Sequence, residues 1–214
     1  MTSKHWALVG GAVACLTSVA LSAAPWLEPG DSRARFAAQK LADRGHMDRT
    51  ISTWPMMWST VHSGLEDSVS ADQSSVGSAV AYLRFEKEQQ AQQVFRGGYS
   101  LFGSSELPGG RGFDQNPLAK AGTAINLQWQ GEIWALGLKP SYALKSDDDE
   151  ELRLDGSYVA AAVGNWVLGA GAIDRWWGPG WQSSLILSNN ARPMPALWIN
   201  RNSPHAFEAP WLSW

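Results

Sequence analysis

The segment from Asp174 to Arg192 gathers the side chains best suited to hold a sugar. Trp176, Trp177 and Trp181 offer flat apolar faces to pyranose rings, while Asn189, Asn190 and Arg192 supply directional donors and acceptors for hydroxyl and uronate groups. The same residues admit a structural role, which carries more weight. Trp-Trp-Gly-Pro-Gly-Trp reads as a turn between strands, with glycine supplying unusual backbone angles, proline stiffening the chain and the tryptophans packing on a neighbouring element or sitting at a membrane rim. Catalytic chemistry has weaker candidates. His46, His62 and His205 lie far apart and have no partner one helical turn on, so a helix-borne zinc site is not indicated. No G-x-S-x-G stretch is present to carry an activated serine. The run Asp147 to Glu151 lacks the spaced ligands and central glycine of a calcium loop and reads as a solvated hairpin loop. A glycosidase pair of carboxylates, such as Asp114 with Asp174, stays open on sequence alone. The residues thus point to binding, with no catalytic group, metal or cofactor expected.

Strands must position that segment. From Thr123 to Gln130, Ile125, Leu127 and Trp129 alternate with Asn126, Gln128 and Gln130, giving one apolar face and one amide face. Leu152, Leu154 and Tyr158 alternate with Arg153, Asp155 and Ser157, and Trp134, Leu136 and Leu138 share a face. With further candidates near 79–87, 92–102, 165–173, 183–189, 195–201 and 206–214, the chain offers about nine strands, joined by tight turns such as Gln130-Gly131 or by polar loops such as Ser146 to Glu150. That is an antiparallel meander. Its uncharged, amide-rich faces suit the wet lumen of an outer-membrane barrel better than the dry core of a soluble sandwich.

Ahead of the strands, residues 25–64 read as a small helical subdomain, with 65–214 left to the strands. Asp31 is placed to cap a helix from Ser32 to Arg44, with Phe36, Lys40 and Leu41 on one side and Gly45 at its end. Thr50 to Pro55 reads as extended chain, and a second helix can begin at Trp54-Pro55. Residues 1–24 have the layout of a cleaved secretory signal, with Lys4 and His5 before an apolar run from Trp6 to Leu21 and then Ser22, Ala23 and Ala24. Cys15, the one cysteine, lies within that signal, so no disulfide is expected in the mature chain. The net charge of -3 gives no basic footprint for nucleic acid. The 13 tryptophans fit membrane interfaces and sugar-binding surfaces equally.

Two blocks of residues resemble a known family. Trp26-Leu27-Glu28-Pro29-Gly30-Asp31, Leu41-Ala42-Asp43 and Thr53-Trp54-Pro55 are similar to the opening of the capsule assembly protein Wzi family. Asp174-Arg175-Trp176-Trp177-Gly178-Pro179-Gly180-Trp181, followed by Ser184 to Pro193, resembles its most recognisable stretch. The resemblance implies an eighteen-stranded outer-membrane barrel, plugged at its periplasmic end by the helical segment, that holds capsular polysaccharide at the cell surface. It implies as partners capsular or extracellular polysaccharide and outer-membrane lipid, and a monomer at full length. Nine strands are half of such a barrel, and an open half would expose unpaired edges, so the expectation is a truncated barrel. Two other classes remain in view: a channel for a solute or polysaccharide, and a periplasmic carbohydrate-active enzyme.

Overall fold

A computed structural model describes residues 25–47, 51–67, 73–92, 95–106, 109–115, 119–146 and 148–203. The expected signal peptide, His205 and the strand expected at 206–214 lie outside these residues.

Helix α1, Ser32–Ala42, forms where its cap predicts: Asp31 Oδ1 accepts from the Ala34 N–H at 2.8 Å. Past its end, Gly45 adopts φ +74°, and the His46 and Gly45 N–H groups donate to the Leu41 and Ala42 carbonyls. The buried side differs from the expected one. Ala34, Ala37, Ala38 and Leu41 turn inward together with Arg35, while Phe36 is 58% exposed. Small residues at that spacing let a second helix pack closely, which Phe36 would hold off.

Short strands come next. β1, Trp26–Leu27, pairs with β3, Met56–Met57, and β2, Thr53–Trp54, lies just before it. Because Met56 and Met57 are taken by that pairing, helix α2 begins at Trp58, not at Pro55, and runs to Asp67. Helix α3 then spans Gln73–Ala91. This corrects an expectation: the strand near 79–87 is a helix. Val76, Ala79, Val80 and Leu83 are its buried stripe, at helical spacing. Tyr82 and the exposed Phe85 blur that stripe in the sequence. Helical structure therefore continues to Ala91, well past the boundary expected at 64.

The remaining strands form an antiparallel meander: β4 Arg96–Gly103, β5 Ala119–Gln130, β6 Trp134–Leu138, β7 Ser141–Ser146, β8 Leu152–Arg153, β9 Tyr158–Val163 and β10 Trp166–Gly171. β12, Ala196–Arg201, pairs with β10. β6 and β7 both pair with β5 and act as one long strand broken at Lys139 and Pro140, which reaches β5 only through its carbonyl, 2.9 Å from the Ile125 nitrogen. β7 had no clear alternation in the sequence. The strand expected at 183–189 is absent. That segment instead folds back on Trp177, whose N–H donates to the Leu187 carbonyl at 2.9 Å.

Sidedness is the strongest feature of this sheet. Tyr99, Ile125, Leu136, Leu138, Leu144, Leu168 and Ile199 are exposed on one face, whereas Gln128, Ala135, Ala143, Arg153, Tyr158, Ala160 and Val167 are buried on the other. The register enforces this, since Leu136 opposes Val159 and Leu168 opposes Ile199 on the outer face. Tight connections fall at one end of the sheet, at residues 131–133 and 164–165. The long ones, joining β4 to β5, β7 to β8 and β10 to β12, leave from the other. Among the described residues the sheet stays open, with β4 and β12 each paired on one side only.

Candidate functional site

Among the described residues, two buried clusters join the helical segment to the sheet and its loops, and the sugar-suited residues belong to one of them. At the first, Trp26 is buried on the inner wall, 4.8 Å from the Tyr158 ring and 6.1 Å from Trp198. Glycines make room for this. A Cβ on Gly137 would lie 2.3 Å from Tyr158, and one on Gly169 2.3 Å from Trp198, so each ring lies over a glycine and faces inward. The inner wall is therefore apolar at the seat, not amide-lined throughout. Beside it Glu28 accepts from Gln128 Nε2 at 3.2 Å and pairs with Lys139. Asp174 lies at the edge of this seat, in a small cavity also lined by Trp26, Glu28, Lys139 and Ile173. Burial pushes its carboxyl up to about 6; Lys139 and Arg111 pull the other way, and Glu28 and Asp155 add to the rise.

The second contact lies at the long-loop end. β11, Trp176–Trp177, pairs with β2, and strand alternation sends Trp176 inward and Trp177 outward. Trp176 has no exposed surface, and Trp177 is 39% exposed. Phe113, from the loop before β5, is the centre of an aromatic cluster: Trp54 lies 5.0 Å from it, and Trp176 and Trp181 each lie 5.9 Å away, all edge-to-face. Arg35 of α1 enters this cluster, its guanidinium carbon 4.3 Å from the Phe113 centroid and 4.7 Å from that of Trp181. Helical segment and loops thus share one core.

The other expected sugar ligands divide in the same way. Asn189 is fully buried and donates from Nδ2 to the Phe113 carbonyl at 3.5 Å. Asn190 is exposed, and its Oδ1 accepts from the Arg111 N–H. Arg192 forks onto Asp155, with Nε to Oδ2 at 2.8 Å and Nη2 to Oδ1 at 3.0 Å, and also meets Glu150 and Asp148. Bonds to Asp155 and Glu150 raise its pKa further above the usual guanidinium range. Trp176 and Asn189 thus have no surface left for a sugar, a correction to their expected role, and Arg192 spends its charge tying the 147–151 loop to the 172–195 loop.

Arg35, Phe113 and Arg111 were not singled out from the sequence, and Trp26 was named only within the block that carries the family resemblance. Arg35 had one signal, a lone cation on the alanine side of α1; Phe113 had none, lying in a glycine-rich stretch without period. Among the described residues, no group of three or more His, Cys, Asp or Glu side chains is placed to hold a metal ion.

Known proteins share this architecture. A family model for capsule assembly protein Wzi matches residues 92–214. A Klebsiella pneumoniae protein, described as an uncharacterized 55.8 kDa protein in the cps region, is 29% identical over 179 residues, covering 81% of this chain and 34% of its own length. A solved structure of Escherichia coli Wzi, described as an outer membrane protein involved in group 1 capsule assembly and as a carbohydrate binding beta-barrel, aligns with a TM-score of 0.73 at 27% identity, over 87% of this chain and 42% of that one. The chain spans about a third of the curated relative and less than half of the solved barrel. The meander is accordingly part of an outer-membrane β-barrel, with its exposed apolar residues gathered on one face. With the family model covering more than half of its residues, the chain belongs to the capsule assembly protein Wzi family.

Proposed function

We propose that the barrel carrying this chain attaches or organises capsular or extracellular polysaccharide at the cell surface without acting on it as an enzyme. One observation carries the reading: three long loops at the same end of the sheet are locked to one another and to the helical segment, leaving Trp177 and Asn190 outward on a fixed surface. A surface ordered before it binds loses little entropy on meeting a flexible polymer. Because tight turns in outer-membrane barrels face the periplasm and long loops face outward, this surface lies outside the cell, with the chain entering β4 from the periplasmic side. Trp26 and α1 to α3 plug the lumen, which speaks against an open channel. Of the expected ligands, Trp177 supplies the ring face and Asn190 the amide, and Trp181 and Arg192 hold the surface beneath them.

The test measures how polysaccharide divides between cells and medium. Removing the protein is expected to release polysaccharide into the medium at unchanged total amount, and Trp177→Ala with Asn190→Ala to do so in part while the barrel still assembles. An unchanged division on removal refutes the reading, and a drop in total polysaccharide points to synthesis instead.

A further inference from the structure

Arg35 is buried to 1% exposure, and among the described residues no carboxylate pairs with it. Its Nη2 instead donates to three successive carbonyls of the outer loop: Gly178 at 3.3 Å, Pro179 at 2.8 Å and Gly180 at 2.9 Å. The guanidinium carbon sits over the Phe113 and Trp181 rings, 4.3 and 4.7 Å from their centroids, with that of Trp176 at 5.9 Å. Burial without a counter-ion lowers its pKa, so the cation is held by carbonyl dipoles and ring faces alone. For stability by itself this is a poor choice, because an apolar side chain of similar length would fill the space without stripping a charge of water. What an apolar chain lacks is the ability to gather three carbonyls and fix the shape of a turn.

That turn has little freedom of its own to give. A Cβ on Gly178 would lie 2.7 Å from the Leu185 nitrogen and one on Gly180 2.5 Å from the Ser183 carbonyl oxygen, so the backbone doubles back tightly on itself. Trp176 Nε1 also donates to the Gly180 carbonyl, at 3.1 Å. The carbonyls of the turn therefore converge on one point, and α1 places a cation there.

We infer that Arg35 is a positioning residue for the polysaccharide-facing surface: from the helical plug, it sets the Gly178-Pro179-Gly180 turn and through it the outward presentation of Trp177. The inference rests on the function proposed above and adds that the plug shapes the outer binding surface as well as filling the lumen. A plug that is loosened or withdrawn then disorders the outer loop.

The experiment uses the full-length protein with Gln182→Cys carrying a nitroxide spin label, since Gln182 is exposed beside the turn. Arg35→Lys and Arg35→Met are compared with this parent for barrel assembly, by heat-modifiable migration, for label mobility and for binding of capsular polysaccharide purified from the host strain. Lysine keeps a cation that reaches the carbonyls but lacks the planar face, and methionine keeps only bulk. Label mobility is expected to rise from parent to Lys to Met, and binding to fall in the same order, with most of it lost in Met. An assembled variant whose label stays as immobile as the parent's overturns the inference, as does a mobile loop with unchanged binding. If Arg35→Met does not assemble, Arg35→Lys decides by the same criteria; if neither assembles, Arg35 holds the fold and the positioning role is overturned. A parent that binds no polysaccharide overturns the functional reading and the positioning role together, whereas intact binding over a mobile loop removes the role alone.

Discussion

Trp176 and Trp177 are adjacent and chemically identical, yet the structure gives them opposite tasks. Replacing Trp176 by alanine opens a cavity between the helical segment and the loops and is expected to cost about 3–5 kcal/mol of stability, read from denaturation in detergent. The same change at Trp177 is expected to leave stability nearly unchanged and to act on polysaccharide retention. Asp174 gives a pH signature at this scale. Its carboxyl titrates higher in the folded protein than in the unfolded chain, so its contribution is fully present below the unfolded value near 4 and is lost as the pH rises through about 6. Asp174→Asn is therefore expected to flatten the stability profile between those values and to exceed the parent at pH 7 and above, checked by melting across pH; a parallel pair of profiles contradicts it. The sequence showed which residue types were gathered between 174 and 192. It did not show which had an exposed face, because that depends on the pairing of β11 with β2, which are more than a hundred residues apart.

Among the elements, those with a long, one-sided pattern were legible. The cap and C-terminal glycine of α1, the alternation of β5 and β6, and the strand at β10 all appear close to where the residues put them. α3 was misread because Val80, Tyr82 and Phe85 favour strands locally, and only packing against α1 selects the helical stripe of Val76, Ala79, Val80 and Leu83. The segment at 183–189 was misread for the converse reason. Ile186 and Leu187 look like strand residues, but their backbone is taken up by Trp177. The glycines of β6 and β10 carry the prediction at this scale. Gly169→Val is expected to push Trp198 off the inner wall and unseat Trp26, so that the sheet still forms but the plug becomes sensitive to protease. Gly164→Ala meets no side chain within 4 Å, yet its φ of +57° strains any alanine, so a modest loss without plug release is the matching control.

At the scale of the whole molecule, membrane assembly depends on keeping two faces distinct. Leu136 lies in a row of outward apolar residues with Val159, so Leu136→Lys sets a charge against hydrocarbon and is expected to cost about 2–4 kcal/mol near the bilayer midplane, seen as reduced heat-modifiable barrel. Lysine at Gln182, outside the sheet, is expected to assemble normally. The class of the molecule was legible in the residues alone: the two-residue period, the amide faces and the capped helix are local consequences of side-chain chemistry and need no partner to be read. It took the folded chain to bring Arg35 to the Gly178-Pro179-Gly180 turn, to seat Trp26 beside the rings that lie over Gly137 and Gly169, and to make Trp176 core and Trp177 surface. These contacts join segments far apart in the chain, and their energies come from burial and from cations held by carbonyls and rings, quantities that do not exist until the sheet has brought its loops over the helical segment.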